Sequence, residues 1–274
     1  MNYDNRMSIV VVSCDAYQDI AEHYVSFLRL NWPDCRNKLL IGMEEKIVSG
    51  IDVNTIVCGR NSTWTERAIK AINKANTPYI LLSVEDLFIS KPVNDQEINI
   101  ALDFIENENI KYYRIPVFKL KNKKEVTHPT NGNVELIAKN ERYNVSIGTA
   151  IWEKNELLKI LGDGNKSAWD VENYFLERAN ESGSGYFDNY VSDKRFLLNT
   201  VHMIKSGKWI PKSTRIISKL GYEINFLERG YISFSDRIKL NGLYSWASRR
   251  LPVKLRRIIK KIMSFFGFHF ASKS

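Results

Sequence analysis

Cysteine is scarce in this chain. Its three thiols, Cys14, Cys35 and Cys58, are far apart and odd in number, and no CxxC or other metal-ligand spacing occurs. That pattern argues for reduced thiols and against a disulfide framework or a zinc site. Long hydrophobic runs are missing too. No stretch reaches the ~18 apolar residues of a membrane span. The first apolar run, residues 9–12, follows a polar start and is too short for a secretory signal. A cytosolic protein is therefore expected, unless something attaches it to a surface. Internal repeats, zinc fingers, RNP-like motifs and recognition-helix patterns are all absent, so nucleic acid is not an expected partner.

What remains is an ordinary globular composition. The 274 residues are 44% hydrophobic and 26% charged, enough to bury a real core. Forty Lys and Arg oppose 31 Asp and Glu, a formal charge of +9. A basic chain meets polyanions: nucleic acid, anionic lipid or phosphorylated substrates. Which of these it meets depends on where the charge sits.

The first 90 residues alternate between strand and helix patterns. Residues 7–13 (MSIVVVS) read as a buried parallel strand, and Asp15, Ala16 and Tyr17 turn out of it. A helix is expected over 19–30 and ends before Asn31-Trp32-Pro33. Strands follow at 38–42 and 54–58. Ser62 or Thr63 can cap a helix over 64–74, with Glu66 as its acidic partner. Residues 79–84 (YILLSV) form another buried strand. This alternation predicts an α/β fold with a mostly parallel, Rossmann-like sheet flanked by helices. Further expectations are a helix over 94–108, strands at 112–118, 134–138 and 143–151, and helices at 155–161 and 168–177. Polar loops are expected at 119–133 and 180–185. The sheet signals stop near residue 222, which suggests a domain over 7–220 and an aromatic, basic segment over 221–274.

In open α/β sheets, ligands bind beyond the carboxyl ends of the strands. Glu85 and Asp86 follow the apolar strand 79–84 and repel each other unless a cation or a basic group neutralises them. A Mg²⁺ or Mn²⁺ ion bridging two phosphates would do so. A solvated turn or a salt bridge to a lysine would serve as well.

Ser13 through Tyr17, Asn61 through Arg67, and Tyr79 through Phe88 together resemble the N-terminal half of GT-A glycosyltransferases. The nearest likeness is to the small enzymes of bacterial capsule and O-antigen clusters. The resemblance spans about residues 7–210 and implies a GT-A fold with a nucleotide-sugar donor. It implies donor contacts at Ser13, Asp15, Tyr17, Asn61 and Arg67, and a metal and diphosphate site at Glu85 and Asp86. His202 is a candidate distal metal ligand. The usual Asp-x-Asp motif is replaced here by Val84-Glu85-Asp86, so Asp86 alone, or no metal at all, remains open.

An inverting enzyme of this kind needs a carboxylate to deprotonate the acceptor hydroxyl. Trp169-Asp170-Val171-Glu172 supplies an aromatic for a sugar face and two acids on different sides of one helical turn. Glu172 is favoured as the base and Asp170 is the alternate, while an acidic first turn that merely complements the helix dipole also accounts for them. Trp169 and His128 are candidates for the acceptor.

The clearest local signal lies at the C-terminus. Leu251, Leu255, Ile258, Ile259, Ile262 and Phe266 fall on one helical stripe, flanked by Arg250, Lys254, Arg257, Lys260 and Lys261. A cationic amphipathic helix over 249–268 fits an interfacial anchor on an anionic membrane. It equally fits a helix packed on its own domain or on a second subunit. The combined expectation is a glycosyltransferase on the inner face of the cell membrane, acting on a lipid-linked or growing polysaccharide. Two alternatives stand beside it. A sugar nucleotidyltransferase would want a Gly-rich loop where Ser13–Tyr17 stands. A non-catalytic membrane-surface module would leave the carboxylates without a purpose.

Overall fold

The computed structural model describes residues 5–117, 126–140 and 144–232. The chain divides into two compact units, the first spanning Met1–His202 and the second beginning at Met203. The expected boundary at 220/221 thus falls inside the second unit, and the basic stretch 249–268 lies outside the described residues.

The first unit is a mixed α/β structure around one nine-stranded sheet. Its strands are β1 (Met7–Val12), β2 (Leu39–Met43), β3 (Val53–Val57), β4 (Tyr79–Val84), β6 (Tyr112–Arg114), β7 (Thr127–His128), β8 (Asn131–Ala138), β9 (Ala150–Glu153) and β10 (Tyr186–Asp193). The spatial order is β3-β2-β1-β4-β9-β6-β10-β8-β7. Strands β3, β2, β1 and β4 run parallel, in register from Met7 opposite Tyr79 to Val12 opposite Val84. Strand β9 runs against β4 and β6, and β8 runs against β10 and β7. The sheet is therefore mostly parallel in direction, with two reversed strands that simple strand-helix alternation does not foresee. The short strand β5 (Leu87–Ile89) leaves this sheet and pairs with β11 (Thr200–His202).

Helices cover both faces. Helices α2 (Trp64–Asn73), α4 (Lys154–Leu161) and α5 (Ala168–Glu181) share a buried cluster with Val10, Val12, Ile80, Leu82 and Trp152. The alternate residues Ile9, Val11, Leu81 and Ser83 face the other way, as a period of two requires. There they meet α1 (Gln18–Asn31), whose Tyr24 hydroxyl bonds Ser83. Helix α3 (Asp95–Asn107) continues that layer, with Phe104 against Tyr113 at 6.3 Å. Strand β1 is buried at all six positions because both its faces are covered. Each fully buried large apolar side chain here is worth about 1.5–3 kcal/mol.

Four local expectations shift. The strand expected at 112–118 ends at Arg114, and that expected at 143–151 is confined to Ala150–Glu153. The polar stretch 119–133 falls partly outside the described residues, but its end forms the β7–β8 hairpin. Helix α5 continues to Glu181, consuming two residues of the expected loop.

In the second unit, β12 (Ile204–Lys205) and β13 (Lys208–Trp209) form a hairpin whose turn residues Ser206 and Gly207 both take positive φ. Helix α6 (Pro211–Lys219) follows, with proline in its first turn.

Candidate active site

Four parallel strands end side by side, and their following turns build one rim. Threonine 63 caps α2: its hydroxyl accepts from the Glu66 N–H at 3.1 Å, and Glu66 accepts from the Thr63 N–H at 2.6 Å. This is the capping box that the sequence announced, with Thr63 rather than Ser62 as the cap. It fixes Arg67 one turn into the helix, beside the end of β2. Gly42 makes that approach possible, because a Cβ there would stand 2.8 Å from the Arg67 carbonyl oxygen.

The Arg67 guanidinium is buried. Its Nη1 donates to the Ser62 carbonyl and lies 3.5 Å from Glu44 Oε1, while its Nε has no hydrogen-bond partner. Ser13, at the end of β1, likewise holds a buried hydroxyl without a partner. A buried polar atom without a partner costs stability, and these two lie near the ends of β1 and β2. Burial and the Glu85 charge push the intervening Cys14 thiol up, and Arg67 opposes them. Glu44, Arg67 and Glu85 therefore lie within electrostatic reach of Cys14.

Asp15 is used differently from the expected donor contact. Its carboxylate accepts from the backbone N–H groups of Glu45 at 3.1 Å and Lys46 at 3.0 Å, and its own N–H donates to Glu44 Oε2 at 3.1 Å. Burial alone would raise its pKa, but these backbone donors and the Lys46 charge outweigh it and hold the group low. Asp15 thus stitches the β1 turn to the β2 turn. Tyr17 occupies the N-terminal cap position of α1 without a side-chain cap bond, and Asn61 sits exposed in the left-handed region on the turn before α2.

Asp86 and His202 are brought together across 116 residues. Pairing of Leu87 with His202 in the β5–β11 ladder sets the imidazole beside the carboxylate, with Nε2 donating to Oδ2 at 2.7 Å. The segment leading to β11 is anchored at both ends. The Asp193 carboxylate, fully buried, accepts from the Tyr113 hydroxyl and from Arg195 Nε at 3.0 Å and Nη2 at 2.8 Å. The Asp193 bond holds the Arg195 guanidinium above its usual value. At the other end, the Asn199 carbonyl accepts from the Ser90 hydroxyl at 2.6 Å and from the Ser90 N–H at 3.2 Å.

The expected metal trio is not assembled. Among the described residues, no group of three or more His, Cys, Asp or Glu side chains is placed to hold an ion. Successive residues leave a strand end on opposite sides, so Glu85 turns toward Cys14 while Asp86 turns toward His202. The 2.7 Å contact between Asp86 and His202 is a hydrogen bond, and Nε2 would have to give up that proton before it could face a cation.

The segment leading into α5 docks on the first turn of α2. The Lys166 carbonyl accepts from the Thr65 N–H at 3.1 Å and hydroxyl at 2.9 Å, and the Gly164 carbonyl accepts from the Thr63 hydroxyl. The candidate base is thereby tied to the helix that carries Arg67. The two acids have separate fates. Asp170 is the partner in the Ser167 capping box, accepting from the Ser167 N–H at 2.9 Å and hydroxyl at 2.6 Å. Glu172 is half-buried, has no hydrogen bond or ion pair among the described residues, and is pushed up by burial alone. Trp169, 64% exposed, precedes it by three residues and so shares its face of the helix.

His128 lies apart from this group. It is on β7, five strand spacings or roughly 24 Å across the sheet from β4. Its ring packs edge-on against Phe104 at 5.1 Å, and Nδ1 lies 3.1 Å from the Thr130 hydroxyl. Glu44 and the Asp193–Arg195 anchor escaped the sequence reading. Glu44 carried the same signal as Glu85, an acid directly after an apolar strand. Asp193 carried none.

No family model matches the chain, and no curated protein matches it. Solved structures do, structures of S. aureus TarS among them. A crystal structure of S. aureus TarS residues 1–349 matches at a TM-score of 0.41 and 12% identity, over 69% of this chain and 60% of that one. The same TarS region in complex with UDP-GlcNAc matches at 0.38 and 12%, over 91% and 77%. A longer TarS structure matches at 0.39 and 12%, over 82% and 41%.

Proposed function

We propose that this chain is a glycosyltransferase that moves a sugar from a nucleotide-sugar donor to a hydroxyl of a lipid-linked or growing surface polysaccharide, with inversion at the anomeric carbon. The observation that carries the reading is the rim itself. An acid–imidazole pair and a buried arginine with an open Nε lie at the carboxyl ends of β1, β2 and β4, and the segment leading into the helix of Glu172 is hydrogen-bonded to the helix that carries the arginine.

In this reading Ser13 and Arg67 receive the nucleotide. Asp86 and His202 would hold Mn²⁺ or Mg²⁺, which when bound supplies positive charge beside the diphosphate. Glu172 accepts the proton of the acceptor hydroxyl, whose oxygen forms the new bond to the anomeric carbon. The bond from that carbon to the diphosphate oxygen breaks, and the nucleoside diphosphate leaves with the electron pair. The raised pKa of Glu172 makes it a better proton acceptor than a solvated glutamate. Trp169 offers a flat apolar face for the acceptor sugar ring, one helical turn away. Residues 249–268, outside the described residues, would keep the enzyme at the inner face of the membrane, where an amphiphilic acceptor resides.

The test is a thermal-shift screen of UDP, GDP, CMP and dTDP with and without Mn²⁺ or Mg²⁺. The wild type is compared with Asp86→Ala and His202→Ala. A nucleotide at a hundred times its Kd adds about 2.7 kcal/mol, or roughly 5–10 °C for a unit of this size. Metal-dependent stabilisation by one nucleotide, lost in both variants, is the expected result. Absence of any shift would overturn the proposal in favour of a surface-binding module.

A further inference from the structure

The charge of this chain is segregated. Residues 203–274 carry 16 Lys and Arg against 3 Asp and Glu, a formal +13, whereas residues 1–202 carry 24 against 28, a formal −4. The candidate active site belongs to the acidic part, so the positive charge has other work.

Helix α6 displays part of it in an ordered way. At 100° per residue, Lys212, Arg215 and Lys219 share one exposed side, while Ser213, Thr214 and Ile217 are buried on the other. Ile216 (37% exposed) and Leu220 (43% exposed) form an apolar shoulder between the two. The helix has no acidic residue in its first turn, and none of the three cations makes an ion pair among the described residues. Like charges three and four residues apart destabilise a helix. A lysine in the first turn also opposes the helix dipole. The last turn favours Lys219, but Lys212 in the first turn and the like charges beside it gain nothing inside the protein, which points to an anion outside it.

We infer that the Lys212–Arg215–Lys219 face of α6 is a docking surface for an anionic lipid bilayer, with Ile216 and Leu220 entering the headgroup region. The apolar shoulder selects a lipid surface over a soluble polyanion, because a phosphate polymer has no medium in which to bury it. A helix with cations beside an apolar strip lies in the plane of the interface. This surface is distinct from residues 249–268 and does not depend on the transferase reading.

The test uses the full chain and titrated vesicles of phosphatidylcholine alone or mixed with phosphatidylglycerol. Two variants are compared with the wild type, K212Q/R215Q/K219Q and I216S/L220S. All five positions are exposed, so melting temperatures near the wild-type value are expected, and nucleotide thermal shifts serve as a second check on folding. On mixed vesicles at low salt, the triple neutralisation is expected to lower the partition coefficient on the order of 100-fold, the value for three cations near an anionic leaflet. The I216S/L220S pair should weaken vesicle binding while leaving binding of soluble polyphosphate unchanged. Wild-type partitioning by the triple variant would overturn the inference. So would equal wild-type binding to neutral vesicles. An I216S/L220S variant that binds vesicles as the wild type does, in a protein that also binds polyphosphate, would reassign the face to a soluble polyanion.

Discussion

Replacing Glu172 with glutamine separates its charge from its packing. The side chain keeps its size and loses only the ability to ionise. In the wild type, burial without a partner raises the carboxyl pKa, which means the ionised form destabilises the native state. Between the ordinary glutamate value near 4.3 and the raised native value, the folded protein binds more protons than the unfolded chain. Stability therefore falls as pH rises through that window, and the loss is complete above the native pKa. Glutamine feels none of this. The melting temperature of Glu172→Gln should match the wild type at or below about pH 4 and exceed it, by a constant amount, at pH 7–8. Activity should move the other way. Loss of a general base costs about 10²–10⁴ in rate, or about 2.7–5.5 kcal/mol of transition-state stabilisation. Donor affinity should be unchanged, since the diphosphate is held by other residues. The assays are nucleoside diphosphate release at saturating donor and thermal scans from pH 4 to 8. A kcat within about threefold of wild type would refute the role as base. A melting difference that ignores pH would refute the claim that burial of this carboxylate destabilises the fold.

Two further variants test the frame around the site. Asp193→Ala leaves the Tyr113 hydroxyl and the Arg195 guanidinium without their acceptor. Breaking a buried pair from one side costs about 3–5 kcal/mol, so the melting temperature should drop by roughly 6–20 °C, and a drop under about 2 °C would show the anchor to be dispensable. Gly42→Ala places a methyl group 2.8 Å from a backbone oxygen that belongs to a helix and cannot swing away. Overpacking of this kind costs about 1–3 kcal/mol, with weaker nucleotide binding as Arg67 shifts, and wild-type values of both quantities would contradict the close approach.

Local chemistry was legible in the order of residues. The unbroken apolar runs of β1 and β4 marked strands buried on both faces, and Thr63 with Glu66 marked the start of α2. Asp86 and Glu172 stood out because an acid after an apolar strand and an acid behind a tryptophan are local patterns. Other features depended on partners far along the chain. Reversal of β9 between β4 and β6 is settled by ladder pairing with residues some 40 and 70 positions away. That Asp170 closes the capping box while Glu172 is left half-buried and unpartnered among the described residues depended on the geometry at Ser167 and the burial of the next turn.

The amino-acid sequence by itself determined the α/β class, the helix starts and the acidic strand end, since propensity, periodicity and capping act within a few residues. Only the tertiary structure decided that Asp86 meets His202 rather than Glu85, that Asp15 serves the backbone, and that His128 packs on α3. Those outcomes follow from which strands pair and which helices dock, and such contacts form between segments that carry no local record of each other.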